Sequence, residues 1–148
     1  MSSCRADVPQ ELSDEALLLA PAPLFAEPVA VPVGPGFDIV MVPEHHARQA
    51  VALLDRLALD PIGSVFADHD RWGFFLPEES DSPAWPPATE YLHGGASVTL
   101  PPFHWPAPAY GATGWVRHRA DGRLFTAPLM LHPVLDAVSN GACQFTRR

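Results

Sequence analysis

Asp38 and His69 are the side chains of this sequence whose type and setting first raise the question of chemistry. Asp38 stands inside "GFDIVMVP" (36–43), where Phe37, Ile39, Val40, Met41 and Val42 read as a buried strand. A carboxylate in such a run either ligates a metal or moves a proton, or it is turned outward to water. The positions two residues to either side, on the same strand face, are Gly36 and Val40, so no second acid stands beside it. His69 lies between Asp68 and Asp70 in "ADHDRW" (67–72), a cluster that reads as a hairpin turn, with a ligand role as the alternative. Without a partner on its own strand face, Asp38 raises the choice between those two readings of a carboxylate and does not by itself make a catalytic site.

The other histidines offer less. His45 and His46 adjoin on a predicted helix, about 100° apart around its axis, and read as solvated first-turn positions. His93 precedes two glycines, and His104, His118 and His132 share no spacing. The sequence contains no HExxH, CxxC, P-loop or GxSxG, so no cofactor is expected. Trp72, Phe74, Trp105, Trp115 and Phe125 alternate with polar residues and read as sheet core; stacking on nucleic-acid bases is the alternative. Arg117 and Arg119 share one face of "GWVRHR" (114–119), and Arg123 follows across "ADG". These three arginines are the candidates for phosphate contacts.

Charge narrows the partners. The net charge is −8, with −11 on residues 1–90 and +3 on residues 91–148. An acidic chain has no general attraction to nucleic acid, so weak or no nucleic-acid binding is expected and a protein partner is favoured. Cys4 and Cys143 lie in the two tails without metal-ligand spacing and read as free thiols, with a disulfide between the two tails as the alternative. No apolar run approaches the roughly 18 residues that span a membrane. The start "MSSCRADVPQELSDEA" is polar and acidic, unlike a signal peptide. A cytoplasmic protein without membrane contact is expected.

The elements that must position these residues follow from periodicity. "LSDEALLLA" (12–20) predicts a short helix capped by Ser13. "PAPLFAEPVAVPVGPG" (21–36) is broken by proline every few residues and predicts an extended arm, neither helix nor central strand. Residues 37–42 predict a strand. Residues 43–59 predict a helix, with Pro43 in its first turn and Ala47, Ala50, Val51, Leu54, Leu57 and Ala58 on one face. "GSVFA" (63–67) and "RWGFFL" (71–76) predict a hairpin. "TEYL" and "ASVTLP" (96–101) read as a second strand pair around "HGG", with Val98 and Leu100 inward and Ser97 and Thr99 outward. "GWVRHR" and "RLFT" (123–126) read as a last hairpin. Thr126 is the expected cap of a closing helix over 128–139, kinked or started at Pro133 and stopped near Gly141. The expected fold is α+β, a single mostly antiparallel sheet backed by one or two helices, with a Pro-rich N-terminal arm. Residues 1–35 form the acidic tail and arm, 36–140 the domain, and 141–148 a C-terminal tail.

From residue 36 to about 138 the order of these pieces resembles the later part of the bifunctional primase/polymerase (prim-pol) domain of the archaeo-eukaryotic primase superfamily. The matching pieces are "GFDIVMVP", "GSVFADHDRWGFFLP", "TEYLHGGASVTLPP" and "GWVRH". In that family the first strand carries a pair of acids, the hairpin carries Ser-x-His, and a later strand carries a further acid. Here Asp38 stands without its partner. With Glu90 on a neighbouring strand it would hold one Mg²⁺ weakly, not the two cations about 4 Å apart that two-metal transfer needs. No catalytic residue is therefore assigned beyond the candidates Asp38, His69 and Glu90, and Asp38 reads as a remnant or a solvent-facing residue. His69 lies in the turn rather than in a Ser-x-His, and Glu90 takes the place of the further acid. Residues 1–35 are too short for the family's first half. The resemblance thus implies a truncated, degenerate prim-pol-like domain, a non-catalytic accessory protein that binds a protein partner, a nucleotide or single-stranded nucleic acid. The alternative it implies is a weak nucleotidyl transferase or phosphohydrolase that uses Mg²⁺ with Asp38, His69 and Glu90.

Overall fold

The computed structural model describes residues 26–57, 60–82, 84–102, 104–105, 111–117 and 123–146. The expected helix over 12–20, Cys4, Ala58, His118, Arg119 and the "ADG" turn lie outside the described residues, as does the side chain of Cys143. The chain order is β1 (Val29–Pro32), β2 (Asp38–Pro43), α1 (Glu44–Leu54), β3 (Val65–Asp68), β4 (Arg71–Leu76), β5 (Glu90–Leu92), β6 (Ser97–Leu100), β7 (Gly114–Arg117) and α2 (Pro128–Thr146). The α+β class holds, and every strand pair is antiparallel. The strands form two sheets rather than one: five in the order β5-β2-β4-β3-β7, and a ribbon of β1 with β6.

The central position of β2 follows from its composition. Ile39, Val40, Met41 and Val42 alternate between two faces, and both faces are covered. Val40 and Val42 stand opposite Phe74 and Trp72, and pack with Leu54, Leu131 and Leu135 of the two helices. Ile39 and Met41 face the other way, where Phe66, Phe75 and Trp115 meet Val98 and Leu100 of the ribbon. Phe37, Phe66, Phe74 and Phe75 are fully buried, each contributing roughly 1.5–3 kcal/mol by leaving water. The aromatics Trp72, Phe74 and Trp115 are thus core residues. Gly73 permits this packing: a Cβ there would meet the Phe66 ring at 2.3 Å.

Three strand pairings differ from expectation. β5 and β6 do not pair with each other. The turn closed by Ala96 N–H on His93 C=O (3.1 Å), with Gly95 at φ +100°, leads the chain out of the sheet. β5 fills the free edge of β2, and β6 crosses to the opposite face to pair with β1. The expected alternation of β6 holds: Val98 and Leu100 are buried, Ser97 is exposed and Thr99 half-buried. β7 pairs with β3 instead of residues 123–126. The latter segment wedges beside β4, where Thr126 N–H bonds Phe75 C=O and Ser64 N–H bonds Leu124 C=O. Only a residue without a side chain fits at position 63, since a Cβ would lie 2.3 Å from the Leu124 oxygen. Thr126 is fully buried and its Oγ1 accepts Gly63 N–H at 3.1 Å, so it is not a helix cap.

The helices keep their expected faces with altered ends. α1 buries Ala47, Ala50, Val51 and Leu54, while Leu57 lies beyond its last turn, 39% exposed. α2 contains Pro133 and runs through Gly141 to Thr146. An interior glycine costs only about 1 kcal/mol against alanine, which Leu131, Leu135 and Val138, buried along the same helix, outweigh.

Candidate functional site

Asp38 begins β2 and is 5% exposed, not turned to solvent as its isolation in the strand suggested. Its partner comes from the neighbouring strand. In the register of β2 and β5, Val40 faces Tyr91, so Tyr91 points to the same side of the sheet as Asp38. The Tyr91 hydroxyl donates to Asp38 Oδ2 at 2.6 Å, and the Glu79 N–H donates to the same oxygen at 2.9 Å. Burial first, then the bond to Asp38, pushes the Tyr91 hydroxyl above its ordinary titration range.

These bonds fold loop residues 77–82 and 84–89 over the start of β2. Tyr91 Oη also accepts Ser80 N–H (2.9 Å), Ser80 Oγ donates to Pro77 C=O (2.6 Å), and Trp85 Nε1–H donates to Ser80 C=O (2.8 Å). The α2 end closes the other side: His132 Nε2 lies 2.8 Å from Ala84 C=O, which makes the nitrogen the donor. The His132 ring lies 4.8 Å from that of Trp85, and Trp85 stacks on Tyr91 at 6.5 Å and 18°. Glu79 takes a left-handed backbone conformation, φ 63°, where its N–H meets Asp38.

The structure does not bring Asp38, His69 and Glu90 together. Glu90 stands opposite Met41, on the other face of the sheet from Asp38, with Arg71 Nη1 3.5 Å from its carboxylate. His69 sits exposed in the β3–β4 turn at φ 61°, with Nε2 3.8 Å from Asp68 Oδ1. Asp38 pairs with Leu76 and Pro43 with Arg71, so this turn lies beyond the opposite end of β2. At about 3.4 Å per residue the separation along the strand is roughly 17 Å. Among the described residues no group of three His, Cys, Asp or Glu side chains could hold a metal ion.

The candidate phosphate-binding arginines that are described have intramolecular roles. Arg117 pairs with Asp55 at the end of α1. Arg123 pairs with Asp60 at 2.9 Å and donates to the carbonyls of Asp60 (2.7 Å) and Ile62 (3.2 Å). Both tie down the connection from α1 to β3. His45 and His46 diverge in Cα direction, yet their rings lean to within 4.1 Å. Burial, then His45, lowers the His46 pKa.

A second buried carboxylate escaped the reading of motifs. Glu44, 3% exposed at the start of α1, binds Arg48 Nε at 2.8 Å and accepts Gly111 N–H at 3.0 Å. The four-residue spacing of Glu44 and Arg48 is the signal that was available. Arg48 in turn lies 5.0 Å over the Trp72 ring.

Two cavities flank the Asp38 loop. One, of about 280 Å³, is lined by Asp38, Glu78, Glu79, Asp81, Tyr91 and His93. The other, of about 310 Å³, lies between Trp85, Leu129, Pro128 and Pro133, and shares Glu79 with the first. Leu129 is 85% exposed at its wall. Comparison of the chain with family models, with curated proteins and with solved structures finds no match.

Proposed function

We propose that this chain is a degenerate prim-pol-like domain whose role is to bind a protein partner, through the face formed by loop residues 77–82 and 84–89 and the start of α2. The observation that carries this reading is Leu129, 85% exposed beside Trp85 and two prolines at an open cavity. An apolar residue of a partner set into this cavity would cover Leu129 and the Trp85 ring and remove their apolar surface from water. Asp38 supports it from the other side: its Oδ2 is committed to positioning the loop. The alternative, Mg²⁺-dependent nucleotidyl transfer or phosphohydrolysis by Asp38, His69 and Glu90, needs these groups in one place, and no observation favours it. Binding of a nucleic acid is weakened by the intramolecular pairs of Arg117 and Arg123.

The test is photocrosslinking from position 129 in the producing cells, followed by calorimetry with the purified crosslinked protein. A light-dependent adduct whose binary binding is lost in Leu129→Asp is expected. No adduct, or binding indifferent to Leu129→Asp, overturns the reading. Template-dependent nucleotide incorporation with Mg²⁺ or Mn²⁺ that disappears in Asp38→Ala would establish the alternative.

A further inference from the structure

We infer that the docking face proposed above receives a second copy of this chain, through the end of α1, where Leu53, Arg56 and Leu57 lie exposed. This names the occupant of that face and rests on that reading.

The apolar surfaces form two patches. Among the described residues, Leu53, Leu57 and Leu129 are the large hydrophobic side chains that stay exposed. Leu129 flanks the cavity of about 310 Å³ with Trp85. Leu53 and Leu57 stand four residues apart at the other patch. There Asp55 N–H bonds Val51 C=O and Leu57 N–H bonds Leu54 C=O, so the turn continues and sets Leu57 just beyond the end of α1. One patch is the projecting end of a helix and the other is a recess that admits a leucine side chain. Joining them takes apolar surface of both out of water.

Charge selects the occupant. The walls of the Leu129 cavity and of the cavity adjoining it carry Asp38, Glu78, Glu79 and Asp81 and no arginine. The end of α1 has the opposite sign. Arg117 pairs with Asp55 and Arg123 with Asp60, which leaves Arg56 in excess. Arg56 is exposed and has no carboxylate partner among the described residues. Each leucine patch thus brings the charge that the other lacks. Arg56 adjoins Leu57 in sequence, and Glu79 lines the cavity that Leu57 enters, so the two charges meet at the rim. Such a pair sets register and disfavours wrong partners. The net charge of −8 opposes the approach of two copies. At physiological salt that repulsion is screened beyond about 8 Å, and the pairs made in contact decide. Because unlike patches join, residue 56 of one copy faces residue 79 of the other.

The experiment is sedimentation equilibrium of the full chain at physiological salt, between roughly 1 and 500 μM, a range that captures weak association. The average mass should rise above that of one chain. Arg56→Glu, Glu79→Arg, Leu57→Asp and Leu129→Asp should each weaken association by at least about tenfold. All four residues are exposed, Glu79→Arg keeps the backbone N–H that binds Asp38, and an unchanged thermal melt verifies each fold. An equimolar mixture of Arg56→Glu with Glu79→Arg should associate within about threefold of the original chain, since each reversed charge then meets its opposite. A single-chain mass throughout the range overturns the inference. So does association indifferent to Arg56→Glu or Leu57→Asp, or a mixture that associates no better than its separate components. If the chain stays monomeric while photocrosslinking from position 129 captures another protein whose binding is lost in Leu129→Asp, the inference fails and the docking face stands. If the chain stays monomeric and position 129 captures nothing, the docking face itself is wrong.

Discussion

The two ends of β2 carry the same device with different chemistry. Asp38 opens the strand and Glu44 follows its last residue; they are 5% and 3% exposed. Each accepts a backbone N–H from a distant loop, Asp38 from Glu79 and Glu44 from Gly111. Glu44 is also answered by the Arg48 guanidinium one turn along α1. Asp38 is answered by a phenol, which donates a proton but carries no charge. The Glu44 end is electrostatically closed. The Asp38 end keeps its negative charge and adds it to that of Glu78, Glu79 and Asp81. One end is built as a brace, and the other combines a brace with an open site.

The largest expected difference between the ends is in stability. Glu44→Ala should cost about 2–3 kcal/mol in denaturant melts. Breaking a fully buried ion pair costs more, but the Arg48 side chain is 35% exposed and water compensates it in part. Gly111 N–H is also left without its acceptor. A cost for Asp38→Ala above that for Glu44→Ala would invert the comparison.

Next in size is the coupling at the open end. Tyr91→Phe should cost about 1–2 kcal/mol, since it strips a donor from Asp38 and an acceptor from Ser80 N–H. Asp38→Asn should cost about 1 kcal/mol or less, because its amide oxygen still accepts while the charge facing Glu78, Glu79 and Asp81 is removed. The double variant should be non-additive by at least about 0.5 kcal/mol. Hydrogen exchange at Glu79 should quicken in Tyr91→Phe while exchange at Gly111 stays unchanged. Strict additivity would mean that Tyr91 and Asp38 hold the loop independently.

The two ends were unequally legible in sequence, and the reason is range. Local periods read correctly where the element persists: the apolar run of β2, the burial of Ala47, Ala50, Val51 and Leu54 on α1 and the alternation of Val98 with Leu100 are set by neighbours two to four residues away. Pairing across distance did not. "HGG" between two strand-like runs suggests a hairpin, yet whether a turn closes a ladder or leaves the sheet depends on which edges are free. The edge of β2 took β5, and β1 took β6. Asp38 looked isolated because its partners were sought along its own strand, whereas Tyr91 lies 53 residues away. Arg117 and Arg123 looked free because Asp55 and Asp60, which hold them, are 62 and 63 residues distant in the chain.

The smallest effect separates the ends by pH. Tyr91 titrates above its ordinary value of 10.0 in the folded protein, because burial and Asp38 disfavour the phenolate. The unfolded chain therefore releases this proton first as pH rises. The associated stability is present below pH 10.0 and lost as pH climbs beyond it. His46, two residues from Glu44, behaves in the opposite sense. Burial, then His45, lowers its pKa from 6.5, and its Nδ1 is buried without a hydrogen-bond partner. The unfolded chain takes up this proton first as pH falls. The associated stability is present above pH 6.5 and lost on acidification below it. Alkali should thus loosen the Asp38 end and mild acid the Glu44 end. Melting curves between about pH 5 and 11 test this, the lower bound avoiding general carboxylate protonation. Tyr91→Phe should flatten the alkaline limb and leave the acid limb in place. His46→Gln should flatten the acid limb alone, by the smaller amount, since its ring is half-buried and water already shares in its titration. An acid limb that survives His46→Gln unchanged would show that the Glu44 end loses stability through a different group.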